Sequence, residues 1–263
     1  MKIKINEANI SLDMAGEGLP LLFIHGFPLS RKIWEPQIAG LAPHAEIIAP
    51  DLRGHGDTDS SPGPYTVDVY AKDCVDLMDN LGLSQPMVVC GLSMGGYVAL
   101  ALYRNHPERV SGLILTATRA GADSLEAKLN REKAIATAQT LGSIAIADAM
   151  ITKMFAPSTY VDQPELVQSI HNTMKNTSIE GIVGALYAMK NRPDSTPLLA
   201  SIKIPVLIIH GDHDQLIPMS EVQIMQSQLP DAKLVIIKNA GHLLNLEQPN
   251  EFNEAIYEFL QTT

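Results

Sequence analysis

Cysteine is nearly missing from this chain of 263 residues, which holds only Cys74 and Cys90. That excludes a disulfide-stapled framework. Cys74 falls in a helical pattern and Cys90 ends an apolar run, so both read as ordinary buried thiols of a reducing compartment. Basic charge is also scarce: 19 Lys and Arg against 29 Asp and Glu leave a net charge of −10. No block of Lys/Arg forms a patch, which argues against nucleic acid as a partner. The same field repels polyanions at long range, although one local arginine can still bind a single carboxylate. No apolar run approaches the ~18 residues of a membrane span. The opening "MKIKINEANISLDM" alternates apolar and polar residues, which predicts strands rather than a signal peptide. These readings point to a cytoplasmic protein with no membrane partner.

Other chemistries lack their residues too. Gly16 and Gly18 begin a GxG, but no third glycine follows and they precede a strand, so dinucleotide binding is rejected. The "HGDHD" stretch gathers two histidines and two aspartates, yet no second cluster of spaced ligands accompanies it, so neither a metal nor another cofactor is expected. There is no internal repeat. The Met-rich interval with Met150, Met154, Met174 and Met189 reads as packing rather than a cofactor box.

What is present is a rhythm. Apolar residues make up 46% and charged ones 18%, an ordinary globular balance. Short runs "LLFIHG", "AEIIAPD", "PMVVCG", "SGLILTAT", "IPVLIIHGD" and "AKLVIIKN" are continuous rather than alternating, as strands buried on both faces of a parallel sheet should be. Helical patterns fall near residues 31–41, 67–83, 94–105, 220–229 and 250–260. Strand and helix in turn predict an open, doubly wound α/β sheet. About eighty residues between "LILTAT" and "PVLIIHGD" hold no strand run, and a structureless loop of that length is improbable. They predict a helical cap over 123–200 inserted into a core of 1–122 and 201–263. The serine- and proline-rich stretch from Asp59 to Pro64 reads as a surface loop.

One stretch carries chemistry. Gly91, Leu92, Ser93, Met94 and Gly95 form GxSxG between the strand "MVVC" and the helix "MGGYVALALYRN", the placement of a nucleophile elbow. A serine on so sharp a turn is strained, and glycines two residues to either side remove collisions. The unpaired amides and dipole of the following helix favour an anion at the same spot. A serine helix cap on a glycine-eased turn is the plainer reading. An alcohol needs a base and the base an orienting acid. After later strand runs the chain offers Asp212 or Asp214 as acid and His242 as base, with Asp123 a further acid candidate. Among the other histidines, His25 and His55 sit in "HG" turns that fix backbone geometry, and His44, His106 and His171 look like surface residues.

"HGFPLSRKIW", "DLRGHGDT", "GLSMGG", "GDHDQLIP" and "GHLLNLEQP" stand in order along the whole chain, which thereby resembles the α/β-hydrolase superfamily. Within it the chain is similar to capped bacterial serine carboxylesterases, enol-lactonases and cofactor-free perhydrolases or haloperoxidases. The resemblance implies a mostly parallel eight-stranded sheet with helices on both faces and a helical cap after strand 6. It also implies Ser93 as nucleophile, His242 as general base, Asp214 as the acid, and an oxyanion hole at the amides of Phe27 and Met94. The expected activity is hydrolysis of short to medium acyl esters through an acyl-enzyme, with lactone opening or perhydrolysis as alternatives. Some members of this fold are ligand receptors with negligible turnover, which keeps a binding role open. Leu29 and Trp34 are candidate pocket-lining residues. Arg119 either binds the carboxylate of a lactone acid or is a solvated hinge residue.

Overall fold

The computed structural model describes residues 1–61, 65–229 and 231–263. Pro62 to Pro64 of the expected surface loop lie outside the described residues. Eight strands form one sheet in the order β1-β2-β4-β3-β5-β6-β7-β8. They are β1 (Lys2–Ile5), β2 (Ala8–Ala15), β3 (Pro20–Ile24), β4 (Glu46–Pro50), β5 (Met87–Leu92), β6 (Val110–Thr116), β7 (Val206–Gly211) and β8 (Lys233–Ile237). The amino-terminal hairpin is antiparallel, as is its pairing to β4, and every later pairing is parallel.

The continuous apolar runs are explained by burial on two faces. Leu22, Ile24 and Val89 belong to one apolar cluster, while Leu21, Phe23, Val88 and Cys90 belong to the other. Alternate residues therefore serve opposite faces, and neither face can be polar. The first cluster is covered by α2 (Val67–Asn80) and α3 (Met94–Asn105), the second by α1 (Glu35–Leu41) and α11 (Pro249–Leu260). Both cysteines are free and buried, and burial pushes both thiols well above their ordinary pKa.

Between β6 and β7 the chain forms α4 (Leu125–Ile151), α5 (Thr159–Asp162), α6 (Pro164–Lys175), α7 (Ile179–Asn191) and α8 (Thr196–Leu199). Ser124 caps α4 and Ser178 caps α7, each hydroxyl accepting from the amide three residues on, which supplies orphan helix donors with a partner. α4 has 27 residues, and its most apolar 18-residue window has a mean hydropathy of 1.4 with only 22% of that window buried. By length and composition it could cross a bilayer, a feature that a search for unbroken apolar runs passes over. Gly142, at φ 81° and ψ 178°, breaks it into two helical pieces. A glycine there has no Cβ to oppose the left-handed φ.

α9 (Met219–Gln228) follows β7, and the short α10 (Leu244–Glu247) follows β8. Because β5, β7 and β8 run parallel, the segments that leave their carboxyl ends emerge on one edge of the sheet. In open α/β sheets that edge is where ligands bind.

Candidate active site

Ser93 follows β5 and precedes α3 with φ 56° and ψ −113°. A non-glycine residue at positive φ costs of order 1–3 kcal/mol and persists only where its surroundings enforce it. Here the enforcement comes from β6 and the residues just after it. The Ser93 amide donates to the Thr116 carbonyl at 2.9 Å, and the Thr118 hydroxyl donates to the Ser93 carbonyl at 2.7 Å. A Cβ on Gly91 would strike the Gly95 carbonyl, and one on Gly95 would strike the Ile24 carbonyl. Both glycines of the motif are therefore required by close backbone approach.

The turn after β3 abuts this elbow. A Cβ on Gly26 would stand 3.2 Å from Ser93 Cβ, which places the following residue, Phe27, beside the serine. Met94 opens α3, so its amide has no acceptor inside the helix. The Phe27 amide donates to no acceptor among the described residues.

His242 and Asp214 are joined directly. His242 Nδ1 lies 2.9 Å from Asp214 Oδ2, and both side chains are buried. A carboxylate can only accept, so the proton of this bond sits on Nδ1, which leaves Nε2 of the neutral imidazole as a basic lone pair. Asp214 Oδ1 accepts from the amides of Leu216 at 2.8 Å and Ile217 at 3.0 Å. Burial acts to raise the Asp214 carboxyl, but His242 and these two amides outweigh it and leave its pKa below the ordinary value. Asp212 turns away, with Oδ1 2.7 Å from His213 Nδ1 and Oδ2 3.6 Å from Lys238. Asp123 is likewise elsewhere. Of the three acid candidates, the structure brings Asp214 alone to the imidazole.

The other singled-out residues have different surroundings. Leu29 and Trp34 are fully enclosed in the apolar cluster on the α1 and α11 face. The indole packs at 4.6 Å from the Phe23 ring and 6.2 Å from Phe252, because the short turn over Arg31–Trp34 directs it inward. Its surface is taken up by core packing. Arg119 is partly exposed but paired: its Nη2 donates to Asp123 Oδ1 at 2.9 Å and its Nη1 lies 3.8 Å from Glu221. The same Asp123 carboxylate accepts from Arg131 at 3.1 Å and from the buried Arg192 at 2.6 Å. Among the described residues no group of His, Cys, Asp and Glu is arranged to hold a metal.

Two neighbours of the site carry no distinct signal in the sequence. His210 lies on β7 with Nδ1 3.9 Å from Asp214 Oδ2, and that nitrogen has no hydrogen-bond partner among the described residues. Glu247, in "GHLLNLEQP", is buried, and burial raises its carboxyl above the usual range despite three hydrogen bonds. A single acid among the leucines just past His242 is the faint clue that the sequence offers.

The buried histidines set an acid-side expectation. His25 Nε2 accepts from the Leu52 amide at 2.9 Å and its Nδ1 meets the Gly26 carbonyl at 2.8 Å, so the ring is a backbone clamp. Burial lowers His25 to about 4 and His55 to about 3. Both stay neutral in the folded protein while the unfolded chain binds protons near pH ~6.5. The stability they carry is complete above that value and lost as pH falls from there toward 4 and then 3. Between pH ~7.5 and ~5 the loss should be about 2 kcal/mol for each imidazole. Urea unfolding across that interval checks it, and a flat curve contradicts it.

The sequence family described as alpha/beta hydrolase fold matches residues 20–249. The chain belongs to the α/β-hydrolase family. This hydrolase superposes with a TM-score of 0.96 on an esterase from Thermogutta terrifontis solved with malate bound, at 38% identity over 100% of this chain and 98% of that one. An enol-lactonase from Burkholderia xenovorans LB400 gives a TM-score of 0.92 at 28% identity, covering 99% of this chain and 100% of that one. In sequence it is 30% identical to 3-oxoadipate enol-lactonase 2 of Acinetobacter baylyi, over 90% of this chain and 86% of the relative. The α/β-hydrolase's expected fold class, eight mostly parallel strands with helices on both faces and a helical stretch after β6, is what the structure contains.

Proposed function

We propose that this hydrolase cleaves carboxylic esters of small molecules through a covalent acyl-serine. The observation that carries the reading is a strained serine at the end of β5, together with an Asp214–His242 pair at 2.9 Å on the same edge of the sheet. Strain alone has other causes, and a buried His–Asp pair can be structural. Acyl transfer needs such a serine, such a pair and two amides free to bind an anion at one centre, and their placement on one sheet edge supports that reading.

In the first half-reaction Ser93 Oγ forms a bond to the ester carbonyl carbon as its proton passes to His242 Nε2. The carbonyl oxygen becomes an oxyanion, held by the amides of Met94 and Phe27. The C–O bond to the alcohol then breaks, and the imidazolium returns its proton to that leaving oxygen. Asp214 keeps the imidazole in the Nδ1–H tautomer and stabilises its cation. Water repeats the sequence on the acyl-enzyme and releases the acid. The helices over 123–200 act as a cap that shields the reacting centre from bulk water, and the net charge of −10 disfavours polyanionic esters.

Lactone opening is the second reading, favoured by the likeness to the two enol-lactonases. It uses the same residues, with the leaving alcohol tethered to the acyl group. Steady-state assays on p-nitrophenyl acetate and butyrate beside a lactone panel, with and without peroxide, are expected to give sustained turnover on neutral short esters. A single stoichiometric burst without turnover would favour a ligand-binding role, and faster reaction of charged esters would overturn the proposed preference.

A further inference from the structure

The turn that carries His242 is fastened to the helical segment between β6 and β7 by a set of bonds that acyl transfer itself does not require. Glu247 ends α10, and its Oε2 accepts from the Gly241 amide, the residue before His242, at 2.6 Å. Its Oε1 accepts from the Ala156 amide at 2.7 Å and from the Thr159 hydroxyl at 2.6 Å. On the far side of the same turn, the amides of His242 and Leu243 both donate to the Met154 carbonyl, at 3.0 and 3.1 Å. The two segments also touch: a Cβ on Gly241 would lie 2.5 Å from the Phe155 carbonyl carbon and 2.6 Å from the Ala156 nitrogen. Only a glycine lets the strips approach so closely.

A carboxylate suits this position for a definite reason. Three donors converge on two oxygens, and only an acceptor-only group meets them all. A buried carboxylate is costly unless so satisfied. Its retention here therefore points to a geometric task, since an apolar residue would fill the space at lower desolvation cost.

We infer that Glu247 is a positioning residue, a latch that locks the His242 turn onto the Met154–Thr159 segment so that core and helical segment jointly fix where the imidazole stands. This rests on the reading of His242 as the base. Acyl transfer tolerates little error in the base, since a shift of ~1 Å at the reacting atoms can cost about 100-fold.

Glu247→Gln tests it, because Gln presents an N–H2 where one donor must be accepted. We expect kcat on a p-nitrophenyl ester to fall by about 10- to 100-fold with KM changed by less than about threefold, the pattern of a lost transition-state contribution. In a His242→Ala background the same substitution should change kcat by less than about twofold, because residues that act as a unit are not additive. Hydrogen exchange supplies a readout independent of turnover. The amides of 154–159 and of 240–244, remote in sequence, should both exchange faster in Glu247→Gln. Thr159→Val removes one donor only and should give the same pattern, with a loss of about threefold to tenfold. Should Glu247→Gln fail to fold, Thr159→Val decides.

The latch is overturned if the variant that folds keeps wild-type kcat, if neither segment changes its exchange, or if the loss persists undiminished without His242. Wild-type protein that turns over no ester while both segments still respond in exchange would sink the hydrolase reading and leave the latch standing. Normal wild-type turnover with unmoved variants would do the reverse.

Discussion

Ser93→Ala is expected to lower kcat on any ester the enzyme accepts by roughly 10⁴- to 10⁶-fold, the range found when a triad nucleophile is removed. Binding should survive, because the amides of Phe27 and Met94 and the enclosing side chains remain. KM, or the Kd of a substrate analogue, should therefore stay within about an order of magnitude. The fold should survive as well. Among the described residues Ser93 Oγ makes no hydrogen bond; the elbow is pinned through its amide and carbonyl by Thr116 and Thr118. A companion variant sharpens the test. Ser93→Gly removes the Cβ that makes φ 56° costly and should gain about 1 kcal/mol of stability while losing activity equally. Ester turnover and thermal unfolding of both variants separate catalytic role from strain. Ser93→Ala with near wild-type turnover would end the nucleophile assignment.

Asp123→Ala is expected to cost about 3–5 kcal/mol of folding stability, the usual consequence of leaving buried charge unpaired. Three arginines reach this one carboxylate from different parts of the chain. Arg119 leaves β6, Arg131 lies on α4 and Arg192 follows α7. Arg192 matters most, since only 2% of its side chain is exposed. It also donates to the Met189 and Gly121 carbonyls and stacks at 4.0 Å on the Tyr97 ring. Without Asp123 its guanidinium would keep those contacts but lose its counter-ion out of reach of water. Arg119 and Arg131 are partly exposed and should contribute less, because solvent screens them. For a chain of this length the loss corresponds to about 10 °C in Tm. Asp123 precedes α4 and Arg192 follows α7, so the ion cluster ties the start of the helical segment to the end of its α7. Urea unfolding checks the magnitude, and a change below about 1 kcal/mol would mean that the cluster is solvated in solution.

Much of the frame is legible in the letters because it depends on local pattern. Continuous apolar runs of this length and composition suit strands buried on both faces, and all six such runs are strands. The interval after "LILTAT" is helical because its apolar residues recur at helical spacing and serine caps begin α4 and α7. Where the sequence misleads, the cause is nonlocal. Trp34 looks like a pocket residue in "SRKIW", yet Phe23 and Phe252 enclose it. Arg119 looks free in "TATRAGAD", yet its acid partners are Asp123 and Glu221, and its neighbouring cations arrive from α4 and beyond α7. Apolar α4 escapes a search for unbroken hydrophobic runs because polar residues are scattered along it.

By itself the sequence determined the alternation of strand and helix, the glycine-flanked turn at Ser93 and the order in which that serine, the aspartates after β7 and His242 follow one another, since each is written in neighbouring residues and their spacing. Residue spacing left Asp212, Asp214 and Asp123 open and only the family resemblance pointed to Asp214; tertiary structure puts Asp214 against His242, gathers arginines at Asp123 and sets Glu247 on the turn before the imidazole. Those choices depend on which side chains a sheet edge and a helical segment bring within about 3 Å of each other, and distance in space is a property that no run of adjacent letters encodes.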